Sequence, residues 1–201
     1  MARSELRSTK QRILGIAIDL FSQYGFKDVS MREIAGEVGI KASSLYKHYE
    51  SKEAILESIF AFFQEKLRQT EIVIPDFKTL NEYFTLAYEQ FKKIMWEPTV
   101  LKIAKIITME QLRSSTAREF LLQEMTVKPV QATKCVLDMM HAQGMIDNVN
   151  TQVLAEEYCA YIVYLYFEQN FLNSGPSLDV IDEKMKQHNE FFVRTVLKQG
   201  D

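Results

Sequence analysis

Ser30 to Tyr49, SMREIAGEVGIKASSLYKHY, is the stretch that decides the fold. Ile34, Ala35 and Val38 recur at helical spacing and form one apolar stripe, with Arg32, Glu33 and Glu37 on the outer side. Ser30 precedes Glu33 by three residues, the capping-box spacing in which each side chain satisfies the other's backbone N–H at a helix start. Gly39 stands where a left-handed backbone ends a helix without a Cβ clash, and Ile40 is placed as the plug between two steeply crossing helices. The stretch therefore predicts two short helices joined by a tight glycine turn, the second over about residues 42–49.

That second helix has Leu45 and Tyr49 for its inner face and turns Ser43, Ser44, Tyr46, Lys47 and His48 outward. It carries no acid. Its hydroxyls cluster at the N-terminal end, where a helix laid in the major groove of DNA meets base edges and phosphates. Tyr46 and, further on, Lys52 suit phosphate oxygens. The plainer reading of the same pattern is a capped helical hairpin with an ordinary polar face.

Three segments in fixed order, AIDLFSQYGF (17–26), VSMREIAGEVGI (29–40) and SSLYKHYESKEAIL (43–56), decide between the two. With them the run from Ile13 to Leu56 resembles the DNA-binding domain of the TetR family of bacterial transcriptional repressors. The resemblance implies a three-helix head whose third helix enters the major groove. By position it assigns DNA contact to Arg32, Ser43, Ser44, Tyr46, Lys47, His48 and Lys52. The family commonly has Ser or Thr where this chain has Lys41. Capping of the recognition helix is accordingly expected to pass to another residue, and Lys41 to add a phosphate contact.

Composition fits a helical protein. Of 201 residues, 47% are hydrophobic, enough for a sizeable core, and only 7 are Gly and 4 Pro. No alternating run rich in Val, Ile and Thr argues for strands. The expected fold is all-α, with about nine to ten helices in two domains: a helix-turn-helix head over 1–52 and a helical effector-binding and dimerisation body over 53–201. The net charge of −3 hides an asymmetry, since residues 1–52 hold nine Lys or Arg against six Asp or Glu, and the remainder fifteen against twenty-one. A whole-chain pI near 5.7 argues against a general nucleic-acid coat, but a basic head on an acidic body is compatible with local docking to phosphates. The polar start and a longest apolar run of nine residues, Cys159–Phe167, against the ~20 of a membrane span, predict a soluble cytoplasmic protein without membrane partners. Cys135 and Cys159 lack metal or redox spacing and are expected to be reduced, buried thiols.

Along the chain, residues 1–7 have no apolar period and are expected to form a mobile arm. A helix follows from Ser8 or Thr9 to Tyr24, ended by Gly25, with Phe26 and Val29 anchoring the next loop. Ser51 opens a long connector helix, broken by Pro75, whose early turns touch the head and whose later turns pack on the body. Helices are then expected from Asp76 or Thr79 to Met95 and from Thr99 to about Arg113. Pro129 interrupts a helical pattern over 116–143, predicting a kink or a junction near Thr126. Turns are expected at 147–150 and 173–176, around a helix over 151–173. A last helix places Ile181, Met185, His188, Phe192 and Thr195 along one stripe.

The helix over 151–173 is apolar on nearly all sides and needs cover all round. The body's own core is one cover, and a second copy of the chain, joined through the last two helices (about 151–199), is expected to be the other. Such a homodimer also fits the reading of two half-sites of a double-stranded, palindromic operator ~34 Å or slightly more apart, and the TetR resemblance implies the same arrangement. Phe84, Tyr88, Phe91, Met95, Met109, Met125, Met139, Met140, Tyr161 and Tyr164 are the candidates to line a pocket for an apolar or aromatic small-molecule effector; ordinary core packing is the plainer role for each. His141 and His188 lack partners at metal-ligand spacing, and no catalytic set stands out, so no metal, cofactor or enzymatic activity is expected. The sequence thus reads as a ligand-released repressor. A DNA-tethered adaptor whose body binds another protein is the rival reading.

Overall fold

A computed structural model describes residues 2–68, 79–146, 149–172 and 177–196, with side chains from Thr9 onward. Its α-helices are α1 (Ala2–Tyr24), α2 (Met31–Val38), α3 (Ala42–Tyr46), α4 (Lys52–Arg68), α5 (Leu80–Met95), α6 (Pro98–Glu110), α7 (Ser115–Leu121), α8 (Lys128–Ala142), α9 (Thr151–Phe167) and α10 (Leu178–Val196). The fold is all-α, as its sequence predicts. Pro75, Asp76 and the 173–176 turn lie outside the described residues, as does the 147–148 part of its neighbour. No described helix is long and apolar enough to cross a membrane.

The chain divides into two compact units, residues 1–71 with 92–118 and residues 72–91 with 119–201. In the first, Ile13, Ala17 and Phe21 of α1, Ile34 of α2, Leu45 of α3 and Ile55 and Ile59 of α4 form a closely buried centre. α6 packs on both α1 and α4, with Lys102 paired to Asp19 across the α1–α6 contact at 2.6 Å, so this unit extends well beyond residue 52. The expected N-terminal arm is instead helical from Ala2, since Ala, Arg, Glu and Leu are good helix formers and nothing breaks the run.

In the second unit Thr79 caps α5, its hydroxyl accepting the Glu82 N–H at 3.2 Å, and Asn150 caps α9 by accepting from Gln152 and Val153. The helical run around Pro129 resolves as a π-turn over Leu122–Val127 that leads into α8, with Pro129 in the first turn of α8. Proline would clash with the carbonyl four residues back, and a widened turn at that point relieves it. α8 buries Val136, Leu137 and Met140. That rotation leaves Cys135 exposed, contrary to expectation, whereas Cys159 is buried with its Sγ 3.6 Å from Thr133 Oγ1. α10 buries Ile181, Met185, Asn189, Phe192, Val193 and Val196, so its inner stripe passes Val196 and leaves Thr195 exposed.

Phe84 is the hub of this second core. Its ring meets Tyr83 at 5.1 Å, Tyr158 at 4.5 Å and Phe192 at 5.2 Å, and it has no exposed surface. The Tyr158 hydroxyl, too buried for water, donates to Asn189 Oδ1 at 3.0 Å. Beyond the core Glu168 gathers Lys184 at 2.6 Å, the Tyr164 hydroxyl at 2.7 Å and Gln169, which together push its carboxyl down to about 2.

His188 lies between Tyr158 and Tyr161, its ring stacked 5.2 Å from one and 4.1 Å from the other, with a buried Nε2 that has no hydrogen-bond partner among the described residues. Burial holds its pKa below the ordinary 6.5, against an opposing hydrogen bond to the Tyr158 backbone. The neutral ring is therefore the form the fold favours. Its stabilising contribution is complete above about 6.5 and is lost as pH falls through the depressed folded value. His188→Phe keeps a stacked ring without a titration, and thermal melts of that variant are expected to show a flatter stability profile below pH 6.5. A profile as steep as wild type would contradict this assignment.

Candidate nucleic-acid interface

The local chemistry of residues 25–52 builds a rigid frame for α3. Gly25 ends α1 in a left-handed conformation (φ 85°), donating its N–H to the Phe21 carbonyl at 3.0 Å, and the Phe26 ring folds back to 5.2 Å from Phe21. Ser30 and Glu33 form the reciprocal capping box, Ser30 N–H to Glu33 Oε2 at 2.7 Å and Glu33 N–H to Ser30 Oγ at 3.2 Å. These bonds hold the Glu33 carboxyl below its usual range, and caps of this kind stabilise by about 1 kcal/mol. At the far end Gly39 has φ 77°, and Ile40 N–H reaches back to the Ala35 carbonyl at 2.9 Å, closing α2. Arg12 from α1 donates to the Val38 carbonyl at 2.8 Å, a cation placed where the helix dipole welcomes it.

α3 itself is one short turn, Ala42–Tyr46, shorter than its sequence suggests. Lys41 stands at its N-cap without a side-chain capping bond, and Lys47 N–H closes on the Ser44 carbonyl at 3.3 Å in a tighter turn. Leu45 and Tyr49 are buried as predicted, which fixes the rotation of the turn. Burial also pushes the Tyr49 phenol up. Arg32, Lys41, Ser43, Tyr46 and Lys47 are consequently exposed, with Ser44 and His48 half-buried. Tyr46 leaves about half its surface, 52%, to solvent.

An open groove of about 580 Å³ runs beside this surface. Tyr46, Lys47 and His48 line one side, Glu50, Glu57 and Ser58 the α4 side, and Lys10 of α1 completes it, its ammonium 5.0 Å from the Tyr49 ring centroid. Lys10 is absent from the sequence-derived set. Its link to Tyr49 joins residues 39 positions apart, which no helical period within either segment reveals. Lys52, by contrast, is in that set, and its ammonium is engaged internally by the carbonyls of Phe26 at 2.6 Å, Lys27 at 3.2 Å and Val29 at 2.8 Å.

The ten pocket candidates fall in both units, Met95 and Met109 in the first and the other eight in the second. Phe84, Tyr88, Met95 and Met140 are buried. Phe91, Met109, Met125 and Tyr161 are half-buried, and Met139 and Tyr164 lie at the surface, with 41% and 50% of their area exposed. Tyr88 donates to Asp182 Oδ1 at 2.7 Å.

The family model described as "Bacterial regulatory proteins, tetR family" matches residues 13–59. The HTH-type transcriptional regulator UidR of Escherichia coli K12 is 38% identical over 64 residues, 32% of this chain and 33% of its own length. The HTH-type transcriptional repressor KstR2 of Rhodococcus jostii is 34% identical over 85 residues, 40% of this chain and 42% of its own. The chain thus matches about a third to two fifths of the length of these curated relatives. The similarity of fold reaches further: a TetR-family transcriptional regulator from Pseudomonas syringae superposes with a TM-score of 0.70 at 15% identity, over 96% of this chain and 98% of that one. A capped α2, a glycine turn and an outward-facing α3 occupy the segment that carries the sequence match, and it is residues 13–59 that match the tetR family of bacterial regulatory proteins.

Proposed function

We propose that the protein is a homodimeric transcriptional repressor that reads a palindromic operator with two copies of α3. The observation that carries this reading is the outward row of Ser43, Ser44, Tyr46 and Lys47, acid-free and fixed in orientation by buried Leu45. Hydroxyls at the start of the turn suit base edges, and Tyr46, Lys47, Lys41 and Arg32 suit the flanking phosphates. His48 borders the same surface. On this reading the labour divides near residue 52, with the segment up to 52 meeting DNA and the remainder serving dimerisation and effector binding.

The proposed partner surface is on α9, the π-helical turn Glu168–Leu172 that continues it, and α10. Val153, Ala160, Tyr164, Phe167 and Phe171 follow one another at helical spacing and are all exposed, as is Phe191 of α10 with 70% of its area. A row of aromatic residues turned to water on one copy is what a second copy would cover. An apolar or aromatic small molecule bound among the body's aromatic and methionine side chains would release the repressor. By linkage it must prefer the DNA-free state, typically by ~1–3 kcal/mol.

Titration of a duplex taken from upstream of the protein's own gene, at several salt concentrations, tests the reading. Each phosphate contact adds about 0.9 to the slope of log affinity against log salt, so Lys47→Ala is expected to lower the slope by about one. An unchanged slope removes Lys47 from the interface.

A further inference from the structure

The sequence pattern groups Lys52 with the phosphate-binding residues, and the geometry points to a different role. An ammonium has three N–H donors and no acceptor. Phe26, Lys27 and Val29 offer three carbonyl oxygens within 3.2 Å of it, and the Phe26 ring lies 4.5 Å from its nitrogen. Every donor is therefore matched to an oxygen of the protein, and a phosphate could enter only by displacing one.

Position in the chain supports the same conclusion. Lys52 is the first residue of α4, where a positive charge opposes the helix dipole, so the helix itself gains nothing from it. Ser51 already caps α4 by accepting the Ala54 N–H at 3.1 Å. The three carbonyls belong to the irregular connection between α1 and α2, whose polar groups need partners that neither helix provides. Val29, one of the three, is buried and directly precedes Ser30, the cap of α2.

We propose that Lys52 is a positioning residue, clasping the α1–α2 connection to the first turn of α4 and thereby fixing the frame on which α3 is presented to DNA. The proposal rests on the DNA-binding reading for its purpose, though not for the clasp. It also gives α4 a direct handle on the head, because a displacement of the first turn of α4 pulls on the residues that set the start of α2.

The clasp is tested first on the unaltered, full-length protein, by acylating its amines without DNA and following each lysine by mass spectrometry. Lys52 is expected to react at least about tenfold more slowly than Lys47, since reaction requires local opening. Equal reactivity of the two overturns the proposal. This measurement is independent of DNA, so failure of the protein to bind any duplex would refute the DNA reading and leave the clasp to be decided by labelling alone.

Lys52→Arg separates the two roles in binding. A planar guanidinium matches phosphate well but cannot send three donors to carbonyls converging on one point. On the duplex from upstream of its gene, Lys52→Arg is expected to bind at least about tenfold more weakly with the salt slope of wild type, whereas loss of a phosphate contact lowers the slope by about one. Wild-type affinity in Lys52→Arg, or a slope lowered by one unit in Lys52→Gln, overturns the proposal.

Discussion

Phe167→Asp combined with Phe191→Asp is expected to leave the protein folded and monomeric, and to weaken operator binding by roughly 10²- to 10⁴-fold. Both side chains are already largely exposed, Phe167 with 43% and Phe191 with 70% of its area, so neither substitution opens the core of a single copy. The loss comes from elsewhere. When two heads are joined, docking of the first holds the second near its half-site at high effective concentration, and separate heads forgo that gain. On the proposed reading a second copy covers this face, and a carboxylate there would be buried without a partner, which costs several kcal/mol per ion. Light scattering with size-exclusion chromatography reads the oligomeric state, and circular dichroism reads the fold. A double variant that remains dimeric would move the proposed interface away from this face.

The second large effect concerns Phe84. Replacement by Ala is expected to destabilise the second unit by about 3–5 kcal/mol, the usual cost of deleting a buried aromatic ring. Phe84 has no exposed surface and touches Tyr83, Tyr158 and Phe192 at ring distances of 4.5 to 5.2 Å, so its removal leaves a void that three rings cannot close without losing their own contacts. Because whole domains are stable by only about 5–15 kcal/mol, urea denaturation should register a large shift in midpoint. Met139→Ala is the control, 41% exposed and outside the proposed partner surface, and is expected to change stability by under about 1 kcal/mol. A Phe84→Ala variant as stable as wild type would instead place Phe84 on the wall of a pre-existing cavity.

The head was far more legible than the body. Its cap, stripe and terminating glycine are local signals, set by residues within one or two turns of each other, and the capping box and closed turn stand at Ser30, Glu33 and Gly39 as the spacing predicts. The length of α3 was not legible. Tyr49 continues the helical period in sequence, yet the backbone tightens after Ser44, and periodicity cannot distinguish a helix from a turn that keeps the same face inward.

Long-range matches were equally hidden. Lys52 looks like any exposed lysine beside a recognition helix until carbonyls 23 to 26 residues earlier in the chain are brought within reach. Lys10 enters the groove only through its approach to Tyr49. In the body, an abundance of Phe, Tyr and Met predicts a core and a pocket equally well, since both need apolar, adaptable side chains. Packing separates them: Phe84 and Met140 are sealed in, and Met139 faces out. The π-turn at 122–127 shares its origin with the predicted kink, Pro129, but sequence could not say that the helix would widen instead of bending.

The most direct test of the central claim is a stoichiometric titration of the upstream duplex with full-length protein, followed by fluorescence anisotropy. Saturation at two protomers per palindromic site, with affinity falling steeply as salt rises, is the predicted result. A protein that leaves the duplex unbound at low salt and micromolar concentration, or binds it as independent single copies with no preference over unrelated sequence, would contradict it.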